Sequence, residues 1–102
     1  MLLRENKGKG RGKEKMKKTE GYVVRRLEDE YLVLPSGRRT EEVNEVISLS
    51  ETAGFIYMHA ERAENVDELA QLVAEEYEIE LAEVLEDVRN VVLTLQKKGI
   101  LL

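Results

Sequence analysis

From Tyr22 onward, apolar and polar positions alternate in short runs. YVVRRL (22–27) and EYLVLP (30–35) are rich in β-branched and aromatic residues and flank the acidic connection Glu28-Asp29-Glu30. That pattern predicts a β-hairpin. Pro35 and Gly37, in LPSG, suit the second and fourth positions of a type I turn, which would end the second strand. A third strand is predicted over Val43–Leu49, with Val43, Ile47 and Leu49 on one face and Asn44, Val46 and Ser48 on the other.

At Ser50 the period changes from two to about 3.6, with neither Gly nor Pro at the junction. Ser50 is placed to cap a first helix, which carries Phe55 and Ile56 inward and ends near Glu61. Asn65 with Glu68 forms a start like a capping box for a second helix, whose buried face is Val66, Leu69, Ala70, Val73, Ala74 and Tyr77. A third helix is predicted from Leu81 to Lys98, with Leu81, Val84, Leu85, Val88, Val92 and Leu95 as its stripe. Lys97 and Lys98 complement the negative end of the helix dipole, and Gly99 supplies the left-handed residue that closes the helix. Val91 lies at the edge of the stripe and Leu93 well off it. This surplus apolar surface either seals the C-terminal GILL or serves binding.

The expected architecture is therefore α+β, a three-stranded antiparallel sheet followed by three helices (β-β-β-α-α-α), the content of a small winged-helix domain. At 102 residues and 42% hydrophobic content there is one domain with a small core. No cysteine is present, which excludes disulfides, thiolate metal sites and a cysteine nucleophile. No apolar run reaches the roughly 18 residues that span a bilayer, and MLLRENKGKG holds too few apolar residues for a secretory signal. A soluble, cytoplasmic protein is expected.

Charge divides the chain. Residues 1–21 hold eight Lys/Arg against three Glu, for +5, whereas residues 22–102 hold eight against eighteen Asp/Glu, for −10. RENKGKGRGKEKMKK has no apolar periodicity, so residues 1–20 read as a disordered basic tail and residues 21–102 as the folded domain. Lys, Arg, Glu and Gly all have purine-only codons. The run before MKK thus resembles a translated ribosome-binding site, which would make Met16 the native start.

Winged-helix domains often meet DNA, but a folded part at −10 repels a duplex backbone, and the third helix sets Glu83, Glu86 and Asp87 against Arg89, Lys97 and Lys98. Catalysis has little to work with. His59, the only histidine, follows Phe55 by four residues and Ile56 by three, the place of a partly buried core side chain. Glu75-Glu76 and Glu86-Asp87 read as solvated faces. KGKGRGK lacks the strand and helix that a phosphate-binding loop requires. No catalytic residue, metal ligand or cofactor site is assigned.

The ordered set GYVVRRLEDEYLVLPSGRRTEEVNEVISLSETAGFIY, VDELAQLVAEEYEIE and VLEDVRNVVLTLQKKGIL resembles the PqqD family over residues 21–102. The junction ISLSETAGFI, the LAQLVAEEY helix at Leu69, Leu72 and Tyr77, and the EDV…L…KKGIL ending carry the likeness. The resemblance implies a small peptide clamp, a recognition element for ribosomally made precursor peptides. Such a clamp holds the precursor's leader segment and presents it to a modifying enzyme, often a radical SAM protein. It implies that the leader adds as a strand beside the third strand, here Val43, Asn44, Glu45, Val46, Ile47, Ser48 and Leu49. The opposite wall would be the third helix, through Val84, Asp87, Val88, Val91 and Leu95.

Ser50 stands where the family often has Asn, Tyr57 where it often has Trp, and His59 where it often has Leu. These departures leave the subfamily open. The implied protein is a monomer or weak homodimer, without enzymatic activity or cofactor of its own. Any iron–sulfur cluster and S-adenosylmethionine would belong to its partner. The alternative is an acidic winged-helix domain that regulates transcription or scaffolds another protein. The sequence does not identify the precursor, its modification, or which flank of the third helix faces the ligand.

Overall fold

The computed structural model describes residues 15–41 and 45–102. Three strands, β1 (Tyr22–Leu27), β2 (Glu30–Pro35) and β3 (Ile47–Ser50), form an antiparallel sheet in the order β1-β2-β3. Leu27 pairs with Glu30, which leaves the two-residue turn Glu28-Asp29. Glu28 adopts φ 54, the left-handed conformation that a tight hairpin needs and that Gly or Asn usually supplies. The absence of those residues hid the turn's type from sequence reasoning.

β3 corrects the expected span. Val43 and Asn44 lie outside the described residues, and Glu45 and Val46 are exposed and precede the strand. Pairing begins at Val33↔Ile47 and ends at Glu30↔Ser50. The reason lies in β2: its last residue, Pro35, has no N–H for the ladder. In place of the type I turn expected around Pro35, the chain passes into a 3-10 helix, Gly37–Glu41.

Three helices follow: α1 (Glu51–His59), α2 (Val66–Tyr77) and α3 (Leu81–Lys97), with a short 3-10 turn, Ala60–Arg62, after α1. Ser50 ends β3 and also caps α1, its side chain accepting the Ala53 N–H at 3.2 Å. Asn65 accepts the Glu68 N–H at 2.8 Å, while the Glu68 carboxylate accepts the N–H of Glu64, one residue earlier than in a standard capping box. α3 closes as its sequence predicts. Gly99 at φ 85 donates to Gln96 O, and Ile100 donates to Leu95 O, a Schellman motif whose apolar pair Leu95 and Ile100 is fully buried.

One cluster forms the core: Val33, Ile47 and Leu49 from the sheet, Ile56 and Tyr57 from α1, Leu69, Ala70 and Val73 from α2, and Val84, Val88, Val92 and Leu95 from α3. Leu81 belongs to the α3 stripe by spacing but overhangs the core as the helix's first residue and is exposed. Ile100 and Leu101 are buried, so the GILL ending is a core element, whereas Leu93 is 55% exposed and seals nothing.

The N-terminal side departs furthest from expectation. Met16 is buried in the core cluster, and Lys18 bridges Leu101 in antiparallel fashion. Thr19 N–H donates to Ile100 O, Leu102 N–H donates to Lys17 O, and the Thr19 hydroxyl donates to Gly99 O. Residues 16–19, read from sequence as tail, thus strap the end of the chain. Residues 1–14 lie outside the described part.

Candidate functional site

β3 lies at the margin of the sheet. β2 occupies one side, and among the described residues no backbone hydrogen bond reaches it from the other. Main-chain donors and acceptors on that outer side are open to another strand. The edge is rigid, because Ile47 and Leu49 anchor it in the core and the Ser50 cap fuses it to α1. Ser48 faces outward, and its hydroxyl donates to Glu30 Oε1 at 3.0 Å.

α3 supplies the other candidate surface. Val84, Val88 and Leu95 are 8%, 1% and 0% exposed and face the core; in this conformation the last two offer nothing to a ligand. Val91 is half-buried and packs against the core cluster, while Asp87 is exposed. Arg89 reaches Asp67 of α2 at 3.5 Å, so the flank bearing Arg89 and Leu85 turns toward α2. Helical periodicity then sets Glu83, Asp87, Val91 and Thr94 on the opposite flank, away from α2. That ion pair marks the flank of the helix that meets α2.

Of the twelve residues named from sequence, the described edge therefore comprises the Ile47–Leu49 backbone with Ser48, and α3 adds Asp87 and Val91. A feature missed from sequence sits at the Ser50 end of the strand. An open depression of about 410 Å³ is lined by Asp29, Glu30, Ser50, Glu51 and Thr52. Its acids belong to separate segments, and only the pairing Glu30↔Ser50 brings them together.

The lone histidine takes a structural position. His59 Nδ1–H donates to Phe55 O at 2.9 Å, and its ring stacks on Phe55 at 4.0 Å between centroids. Among the described residues, no group of three or more His, Cys, Asp and Glu side chains is arranged to hold a metal ion. No helix there is long and apolar enough to cross a membrane.

The profile of one protein family, described as Coenzyme PQQ synthesis protein D (PqqD), matches residues 30–101, from β2 to Leu101. The chain belongs to the PqqD family. A solved structure titled "TbiB1 in Complex with the TbiA(beta) Leader Peptide" shares the fold, with a TM-score of 0.64. It is 20% identical, and the match covers 83% of this chain and 93% of that one. No curated protein matches. For this PqqD family member, the three-stranded sheet followed by three helices is the fold that the likeness supports.

Proposed function

We propose that this protein is a non-catalytic adaptor, which captures the leader of a ribosomally made precursor peptide as an added strand on β3 and presents it to a modifying enzyme. The observation that carries this reading is the pre-ordered, unpaired edge of β3. Edge-strand addition takes orientation and affinity from main-chain hydrogen bonds and specificity from side-chain contacts. An edge already fixed by Ile47, Leu49 and the Ser50 cap loses little conformational entropy on binding. The α3 flank carrying Asp87 and Val91 is the proposed second wall.

Family membership supports the reading, as does the similarity to a protein solved with a leader peptide. The family resemblance makes a radical SAM protein the proposed modifying enzyme; any cluster or cofactor would reside there. The charge of the folded part disfavours the alternative of a DNA-bound regulator.

Calorimetric titration with the synthetic leader of a peptide encoded beside the gene tests the proposal, combined with amide exchange read by NMR. Micromolar or tighter binding is expected, with slowed exchange at alternate amides within 47–50. Binding that leaves those amides unprotected would remove the edge-strand mechanism; no binding would remove the adaptor reading.

A further inference from the structure

The proposed ligand surface has a consistent electrostatic sign. At the Ser50 end of β3 stand Asp29, Glu30 and Glu51, at the Ile47 end stands Glu45, and the α3 flank turned away from α2 bears Glu83 and Asp87; all six are exposed. Among the described residues, compensation is sparse. Arg26 approaches Glu51 at 3.7 Å but is also held by Glu28 O and stacked over Tyr31. Lys97 and Lys98 sit at the far end of α3, three turns beyond Asp87.

We infer that the segment captured along β3 is cationic: a leader whose extended stretch places Lys or Arg beside the Ser50 end of the strand and along the Asp87 flank of α3. This rests on the adaptor reading and names the chemistry of its ligand. Three carboxylates and two hydroxyl residues line the depression at the strand's end, with no cation among the described residues that line it. Ionised carboxylates only accept hydrogen bonds, whereas ammonium and guanidinium groups only donate, so the linings and the ligand are complementary. Glu30 is also pre-positioned, because the Ser48 hydroxyl of the edge strand donates to it. An acidic stretch in the same place would meet like charge along both walls, which gives discrimination by repulsion as well as attraction.

The test uses the full-length protein, the synthetic leader segment of the precursor encoded beside its gene, and a version of that peptide with Lys/Arg changed to Glu. Affinity for the natural leader should fall roughly threefold or more between 50 and 300 mM NaCl as charges are screened. Glu30→Gln keeps the acceptor for Ser48 and removes the charge; with Asp87→Asn it should weaken binding about fivefold and flatten the salt dependence. The charge-reversed peptide should not bind. A natural leader that binds equally at both salt concentrations, or as tightly to the double variant, would overturn the cationic assignment and leave the adaptor standing. No binding of the natural leader at either salt concentration would overturn both.

Discussion

Gly54 of α1 packs directly against the ring of Tyr31 on β2, leaving no room for a methyl group between them: a Cβ at position 54 would overlap the Cδ1 edge of the ring. This contact sets how closely α1 approaches the sheet, and therefore where the Ser50 junction holds β3. Gly54→Ala should destabilise the domain by about 1–3 kcal/mol, as overpacking does. Tyr31→Ala in the same chain should recover part of that loss, and urea denaturation of the two single variants and the double variant measures the coupling.

Glu78 closes α2 in the left-handed conformation, φ 54 and ψ 49, with its N–H and that of Ile79 both donating to Ala74 O. Glycine reaches that conformation without the Cβ penalty. Glu78→Gly should therefore raise stability by about 0.5–1 kcal/mol, read as a higher urea midpoint at unchanged slope.

Met16 is 5% exposed within the core, while its neighbour Lys15 is exposed. Met16→Ala should cost about 2 kcal/mol or more, whereas Lys15→Ala should stay within about 0.5 kcal/mol. Equal, small effects in chemical denaturation would mean that residues 16–19 do not hold the end of the chain.

Tyr57 predicts an alkaline limit. Burial pushes its phenol above the ordinary value of 10.0, with Glu61 and then Tyr22 adding to the shift. The unfolded chain ionises first, so the protonated form's full contribution persists below pH 10 and is lost as pH rises through the higher folded value. Tyr57→Phe should make stability flatter across that window. Some slope should remain from Tyr77, which is also raised, chiefly by burial. Denaturant titrations at pH 8 to 11 would show the difference, and identical slopes in both proteins would exclude Tyr57 as the cause.

The helices were legible because their signals are local. Ser50, Asn65 and Gly99 act within four residues of themselves, and the predicted faces of α2 and α3 recur in the core almost residue for residue. What the sequence concealed depends on distant partners. β3 starts at Ile47 because β2 stops at Pro35, and the flank of α3 that meets α2 is marked by Arg89 reaching Asp67. Gly54 reads as an ordinary helix residue until Tyr31 is set against it. MKKT reads as tail because a single apolar residue, Met16, makes no pattern; its reason for order lies at Ile100 and Leu101.

The pairing of Lys18 with Leu101 has a topological consequence. Among the described residues, the segment that enters the core and the segment that leaves it run side by side, with Thr19 bonded to Ile100 and Leu102 to Lys17. A domain whose entry and exit lie side by side can be spliced into a surface loop of a larger protein without prying the host's two ends apart. The strap would then act as a clasp at the neck of the insert, leaving the outer edge of β3 unpaired.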